Sequence, residues 1–322
     1  MVTPFDIIAM GCVAMDYYLI LEATPWQDEK VKAQSASILP GGTMGNFACA
    51  AAKLGAKTGF VGIVGDDLWG DSLIRDFKRL GVDATRVVKR SGQNTPLTVL
   101  ILDQGGRRAN ILPPFPSLRL EEIDMDYLLD TKILHTHLFD GEIFKYVAIE
   151  ARKKKIILST DLELQRIKQI PSGELKGFLS LSDLVFLNQE TLAWIAPSKD
   201  IETAANSLRE AGPKAVVITM GAEGSFVATP NESICTAPFR VKALDATGAG
   251  DAFAGAFCYG WLQGWPLRKI MEFASSASAL VVIQLGARTG LSNLEEVFKF
   301  IEEYDQTFDS HQSRPNDLTQ FK

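Results

Sequence analysis

The sequence has no Gly-Lys dipeptide, and therefore no Walker-type phosphate loop; GxGxxG, HExxH and GxSxG are missing as well. Histidine is scarce: only His135, His137 and His311 are present, and Ser/His/Asp hydrolysis has no local signature. The four cysteines, Cys12, Cys49, Cys235 and Cys258, form no CxxC unit, which excludes a zinc ribbon or thioredoxin-type site. Each sits among apolar or small residues, so reduced thiols in a cytoplasmic protein are expected. No apolar run reaches the roughly 18 residues of a membrane span. The apolar N-terminus has no basic flank and is bracketed by Asp6 and Asp16, so it reads as a buried strand, not a signal peptide. Positive charge is also short: 33 Lys plus Arg against 39 Asp plus Glu leave −6, which argues against a nucleic-acid binder.

What the chain does have is an ordinary globular composition, 46% hydrophobic and 22% charged over 322 residues, enough for a large core. Short apolar runs alternate with amphipathic stretches. The spacing predicts strands at 5–12, 58–63, 132–137, 155–160, 183–187 and 215–219. It predicts helices at 45–55, 70–81, 141–154, 189–195, 200–211, 248–263, 267–283 and 293–303. Uninterrupted apolar strands between helices imply a parallel sheet covered on both faces. Residues 15–39 and 95–112 instead alternate in β fashion without helices, and predict a separate small antiparallel sheet. The polar stretch 305–322 lacks periodicity and reads as a tail. His135 and His137, two apart in a strand, should face one side. They read as polar residues near a strand end, with a metal pair as the alternative.

The most informative segment is 244–261, LDATGAGDAFAGAFCYGW. Gly248, Ala249 and Gly250 open a helix, where unpaired N–H groups and the helix dipole converge on an anion. Side chains larger than Ala would block close approach. A carboxylate beside that anion suggests a proton acceptor for an attacking hydroxyl, so Asp251 is the candidate base. On its own, GAGD also reads as a tight turn with Asp251 as a helix cap.

Together with residues 41–70, GGTMGNFACAAAKLGAKTGFVGIVGDDLWG, the run Asp245–Asp251 (DATGAGD) resembles the two signatures of the PfkB, or ribokinase-like, family of carbohydrate kinases. The second signature differs from the family's usual DTTGAGD only at Ala246, and the likeness extends from Gly11 to about Leu294. It implies an α/β fold, a ribokinase-like three-layer α/β/α sandwich with a small β-sheet lid. The kinase domain would span 1–304, with lid strands at about 13–40 and 95–112.

By this resemblance the protein is an ATP-dependent sugar kinase, in which Asp251 is the base and the amides of Gly248, Ala249 and Gly250 hold the transferred phosphoryl group. Asp16, the paired Gly41 and Gly42, and Asn46 would contact the sugar; Asn46 could alternatively be a helix N-cap. Arg107, Arg108 and Asn110 could meet a phosphate already on the sugar, or be solvated hairpin residues. On the nucleotide side, Asn188, Thr219, Gly221 and Gly224 match ATP-contacting positions, and helix 270–283 with Gly286–Ala287 would wall the adenine pocket. Thr191 stands where the family's Asn-x-x-Glu motif has Glu, so Glu190 is the candidate for magnesium through water. Asp245 and Thr247 resemble residues of a monovalent-cation loop, potassium in some members, though Gly290 stands where Ser is common.

Asp161-Leu-Glu-Leu-Gln-Arg166 lacks the Asn of the Asp-x-Asn-x-Arg stretch of fructokinase and 2-keto-3-deoxygluconate kinase relatives, which lowers those two readings. Tyr17, Tyr18 and Trp26 could stack on a nucleobase, which keeps a nucleoside kinase as the alternative, or pack between two lids in a homodimer. A non-catalytic sugar sensor is the third reading, disfavoured by the intact Gly248–Asp251 run. The partners expected are a small sugar and ATP, with no nucleic acid and no membrane. The identity of the sugar and the hydroxyl phosphorylated are not encoded in any motif.

Overall fold

The computed structural model describes residues 4–25, 28–103, 108–138, 141–171, 173–197 and 199–309. Thirteen strands fall in two sheets among these residues. They are β1 (Phe5–Gly11), β2 (Ala14–Leu21), β3 (Ser35–Gly41), β4 (Thr58–Gly65), β5 (Val82–Arg90), β6 (Leu97–Asp103) and β7 (Arg108–Ile111), then β8 (Thr131–His137), β9 (Ile157–Asp161), β10 (Leu184–Asn188), β11 (Ala215–Thr219), β12 (Ser225–Ala228) and β13 (Ser233–Thr236). The helices are α1 (Thr43–Lys53), α2 (Leu68–Arg79), α3 (Met125–Leu128), α4 (Gly141–Lys153), α5 (Leu164–Ile167) and α6 (Leu175–Leu181), then α7 (Gln189–Ile195), α8 (Ile201–Arg209), α9 (Ala249–Leu262), α10 (Leu267–Val282) and α11 (Leu294–Asp309).

The large sheet has the order β13-β12-β11-β10-β9-β8-β1-β4-β5. Its pairs are parallel from β11 through to β5, and antiparallel only at β11–β12 and β12–β13. The side-chain period of two sends alternate residues to opposite faces. In β1, Ile7 and Ala9 join a core with α1, α9 and α10, while Ile8 and Met10 join a second core with α4, α6 and α8. Two cores, one on each face, make the three layers expected from the uninterrupted apolar strands. The chain leaves β1 toward β4 and β5, then returns to the other side at β8. Ligand clefts form outside the carboxyl ends of the strands at such a reversal. Gly11, His137, Asp161, Asn188 and Thr219 are the last residues of β1, β8, β9, β10 and β11, and so lie along that edge.

The second sheet, β3-β2-β6-β7, is the expected small sheet, with one correction. β2 pairs antiparallel with β3 and β6 with β7, but β2 and β6 run parallel, Asp16 opposite Thr98. They are contributed by separate excursions from the core, so no hairpin forces them antiparallel. Three strands went unread in the sequence: β5, β12 and β13. β5 carries Asp83, Thr85, Arg86, Lys89 and Arg90, and as an edge strand it buries little of one face. β12 and β13 have four residues each, too short for a periodic signal. The C-terminal stretch also differs from expectation, because α11 continues through Asp309, so 305–309 are helical; 310–322 and His311 lie outside the described residues. Trp26 and Arg107 lie outside them too. No helix among the described residues is long and apolar enough to cross a membrane.

Candidate active site

The paired glycines answer a packing problem where the lid meets the core. A Cβ on Gly41 would lie 2.0 Å from an Asp16 carboxylate oxygen, so the missing side chain leaves room for that group. Gly42 has φ 85° and precedes the first residue of α1, a left-handed backbone that other residues adopt only with strain. Asn46 is not the N-cap. It lies one turn inside α1, and its N–H donates to the Gly42 carbonyl at 2.8 Å. Its side chain is buried, and Nδ2 donates to Asp251 Oδ2 at 2.8 Å.

At the start of α9, Gly248 takes the N-cap position with φ 80°, and a Cβ there would meet the Ala287 Cβ at 2.6 Å. Asp251 is therefore in the first turn and not the cap. The Ala249 N–H donates to the Ala246 carbonyl at 3.3 Å. Gly250 differs from Gly248: no atom lies within 4 Å of where its Cβ would be, and it lines the open cleft. Its lack of a side chain preserves space, while at Gly248 it permits a conformation. Asp245 fixes the loop before α9. Its Oδ1 accepts from Thr247 N at 3.0 Å and Thr247 Oγ1 at 2.7 Å, and its Oδ2 accepts from Gly286 N at 3.0 Å.

A cleft of about 420 Å³ brings Gly250 and Asp251 together with Thr43, Asp161, Glu163, Asn188, Glu190 and Thr219, and Leu112 closes it from the lid side. Asn188 Oδ1 caps α7 by accepting from Thr191 N at 2.8 Å. Thr191 is fully buried, and its Oγ1 has no hydrogen-bond partner, so position 191 does not face the cleft. Glu190, next to it, is exposed there. Gly221 is exposed after β11, and Gly224 is a turn glycine whose Cβ would strike the Thr236 carbonyl at 2.1 Å. Arg108 and Asn110 are exposed on β7, an edge strand of the lid.

The electrostatics centre on carboxylates. Burial pushes Asp251 up to about 7; the Asn46 hydrogen bond opposes this, Glu163 and Asp16 add to it, and Arg288 opposes it. Asp16 also reaches about 7 through burial, against the pull of Arg288 and a hydrogen bond from Thr98, with Asp245 adding to the rise. Asp161 is raised well above the ordinary carboxylate range, first by burial and then by Glu163 and Asp251. Glu163 goes the other way. Burial alone would raise it, but His137, Arg166 and a 2.7 Å hydrogen bond from Thr43 Oγ1 outweigh that and hold it low. His135 and His137 do face one side, and both are buried. His135 stacks on Phe47 with centroids 3.5 Å apart, and its Nδ1 lies 2.8 Å from Ser159 Oγ. Burial lowers His135 to about 3 and His137 to about 4, so both stay neutral at physiological pH. Among the described residues no three His, Cys, Asp or Glu side chains group to hold a metal ion.

Of the residues singled out in the sequence, the fold gathers Asp16, Gly41, Gly42, Asn46 and Asp251, and Asn188, Glu190 and Thr219 line the same cleft as Asp251. Thr43, Glu163 and Arg288 went unrecognised. Glu163 had a signal, since it occupies the place of the absent Asn in the 161–166 stretch. Arg288 had none, because its partners lie more than 200 residues away. One expectation is corrected: Tyr18 is fully buried beside Asp245 and Thr247, so it cannot stack on a nucleobase.

A largely parallel sheet with a lid, and a buried carboxylate at a glycine-opened helix start beside an open cleft, make an arrangement suited to group transfer. The chain matches the pfkB family carbohydrate kinase description over residues 5–294, and it belongs to that family. It is 27% identical over 338 residues to 5-dehydro-2-deoxygluconokinase of Clostridium perfringens, covering 94% of this chain and 95% of that one. The ribokinase structure from Thermotoga maritima is 27% identical, with a TM-score of 0.79 over 92% of this chain and 99% of that one. A putative ribokinase II from E. coli, solved with ATP and Mg2+, is 22% identical with a TM-score of 0.81 over 93% and 99%. The protein is accordingly a carbohydrate kinase, a phosphotransferase acting on a sugar hydroxyl.

Proposed function

We propose that this chain moves the γ-phosphoryl group of ATP to a hydroxyl of a small carbohydrate, with Asp251 as the base. The observation that carries this is the state of Asp251. It is 8% exposed, lies in the first turn of α9 next to the open space at Gly250, and has a carboxyl raised to about 7. A base in that range matches a working pH near neutrality far better than an ordinary carboxylate. Asn46 engages Oδ2, leaving Oδ1 to take the acceptor's proton. Phosphoryl transfer passes through a loose transition state, so positioning and charge stabilisation dominate and the proton moves late.

The amides of Gly248, Ala249 and Gly250 are the donors we assign to the phosphoryl oxygens, aided by the α9 dipole. Losing one such donor costs about 2.7–4 kcal/mol of transition-state stabilisation. Ala249 already donates within its turn, so Gly248 and Gly250 carry most of this role. Asp16, Gly41, Gly42 and Asn46 form the sugar side. Asn188, Thr219, Gly221 and Gly224 form the nucleotide side. Magnesium takes oxygen ligands and keeps several waters, and it neutralises phosphate charge when bound. The exposed Glu190 carboxylate at the cleft fits a water-mediated role, whereas buried Thr191 does not. Asp245 spends Oδ1 on Thr247 in its own loop and Oδ2 on Gly286 in the loop after α10, which favours a clamp between the two loops over a potassium ligand.

We read the chain as one kinase unit with two lid excursions, acting in the cytoplasm without nucleic acid or membrane. Exposed Ile38, Ile111 and Leu112 on or beside the two lid edge strands favour a homodimer through the lid. Arg108, exposed on the same strand, would then reach a sugar only from the lid rim.

Asp251→Asn tests the central claim: turnover should vanish while binding of a non-hydrolysable ATP analogue persists. Near-normal kcat in that variant would refute the base. The names of the relatives make ribose and 5-dehydro-2-deoxygluconate the first acceptors to assay. Nucleosides belong in the same thermal-shift panel.

A further inference from the structure

Beside Asp251 and Asn46 lies a buried guanidinium that the mechanism above does not use. Arg288, in the loop after α10, is 6% exposed. Its Nε donates to Asn46 Oδ1 at 2.9 Å, its Nη1 to Asp76 Oδ2 at 2.8 Å, and its Nη2 to the Gly41 carbonyl at 2.7 Å. Its guanidinium carbon sits 5.1 Å from the centre of the Phe77 ring. Burying a cation is unfavourable without a partner, and Asp76 supplies the opposite charge. Charge burial would be satisfied by that pair and does not account for the other two bonds.

The chemistry of those two bonds is directional. A side-chain amide has one accepting end and one donating end, whereas a guanidinium only donates. Arg288 Nε therefore selects Oδ1 of Asn46 and turns Nδ2 toward Asp251. The flipped amide would set two donors against each other at Arg288 and two acceptors against each other at Asp251. The Nη2 bond holds the Gly41 carbonyl, at the end of lid strand β3 and one residue before the left-handed Gly42. A Cβ on Gly45 would come within 2.5 Å of Arg288 Nη2, so the small residue at 45 makes room for this wiring.

We propose that Arg288 is a positioning residue for phosphoryl transfer. It locks the Asn46 amide so that it donates to Asp251, and it ties that pair to the Gly41 carbonyl where the lid joins the core, with Asp76 as its counter-ion. This rests on the reading of Asp251 as the base, and Asp251→Asn tests that reading separately.

The test is a double-mutant cycle of Arg288→Met, Asn46→Ala and the pair. Turnover is measured with ATP, magnesium and whichever of ribose, fructose or 5-dehydro-2-deoxygluconate the unaltered enzyme uses fastest. A misplaced reacting group lowers rate by up to about 100-fold. Arg288→Met should therefore lower kcat by about 10- to 100-fold and change KM for ATP far less. In the Asn46→Ala background the same change should lower kcat by less than about 3-fold; its effect on Tm shrinks there only by the one lost Arg288–Asn46 bond, because the bonds to Asp76 and Gly41 remain in both backgrounds. An equal kcat loss in both backgrounds would show that Arg288 does not act through Asn46, and unchanged kcat would end the proposal outright.

Arg288→Lys, which keeps the charge, replaces Arg288→Met if the latter fails to fold, and the same coupling is required of it. A second readout needs no substrate: the Asn46 side-chain NH2 resonances. Their exchange with solvent should be at least about tenfold faster in Arg288→Lys than in the unaltered protein. Equal exchange overturns the proposal.

Discussion

Asp251→Asn should make the protein more stable, and by an amount that grows with pH. The buried Asp251 carboxyl titrates at about 7, against 3.8 for an ordinary aspartate. A carboxyl raised on folding binds its proton more tightly in the folded than in the unfolded chain. Its penalty is absent below pH 3.8, develops as pH rises, and is complete above about 7. The size of the rise corresponds to about 4 kcal/mol at alkaline pH, at about 1.4 kcal/mol per tenfold change in affinity. An asparagine carries no charge at any pH, can still accept from Asn46, and so removes the penalty. Taking roughly 2.1 cal/mol/K per residue, a chain of this size unfolds with an entropy near ~0.7 kcal/mol/K. Tm should then rise by about 6 °C at pH 8.5 and by only about 2 °C at pH 5. Asp16 and Asp161 titrate in both proteins, and because each is coupled to Asp251, relief of their repulsion in the variant adds to the gain at high pH. Differential scanning calorimetry of both proteins from pH 5 to 9, at one scan rate, measures this directly. A Tm difference independent of pH, or a variant less stable than the parent at pH 8.5, would refute the assignment of a strained carboxylate at 251.

Other consequences follow from the same geometry. With Asp251 as the proposed base, kcat/KM should fall as pH drops through about 7, with a slope between one and two because Asp16 titrates in the same range; in Glu163→Gln, which removes a charge that raises Asp251, the Asp251 midpoint should move to lower pH. A pH-rate profile of the two enzymes checks both midpoint and direction. Gly250→Ala should fold with stability within about 1 kcal/mol of the parent, because nothing lies within 4 Å of the added methyl, yet lose at least about tenfold in kcat. Gly248→Ala should instead lose about 1–3 kcal/mol of stability, since φ is 80° and the methyl meets Ala287; urea titrations beside turnover separate the two glycines. Glu190→Gln should raise the magnesium concentration for half-maximal rate several-fold at unchanged Tm, and magnesium titrations of the rate would show an equal requirement if Glu190 had no part.

What could be read from the sequence was whatever the backbone imposes locally. Continuous apolar strands report burial on two faces, and the start of α9 reports itself through small residues that no other backbone tolerates. Even there, two glycines that look alike do different jobs: Gly248 is required by a left-handed φ and by Ala287, Gly250 by empty space. Only the fold separates those reasons. Edge strand β5 and the short β12 and β13 were invisible because their residues answer to solvent and to brief pairing, not to a core. The wiring of the site was invisible for a different cause. Asn46 meets Asp251 across 205 residues, Arg288 meets Asn46 across 242, and Thr43 meets Glu163 across 120. Each partner is chemically unremarkable in its own segment. Asn46 could have been a cap, Arg288 a surface residue, and Glu163 a solvated acid. Their functions exist only in the pairing, and pairing at that separation follows from the strand order that reverses between β8 and β1. The same argument explains Thr191. A family carboxylate position filled by Thr looks like a lost metal site when read along the chain. In three dimensions position 191 is fully buried, and the exposed acid that lines the cleft is one residue earlier, at Glu190. A carboxylate returned to position 191 would be buried, and by that reasoning Thr191→Glu should destabilise the protein without lowering its magnesium requirement.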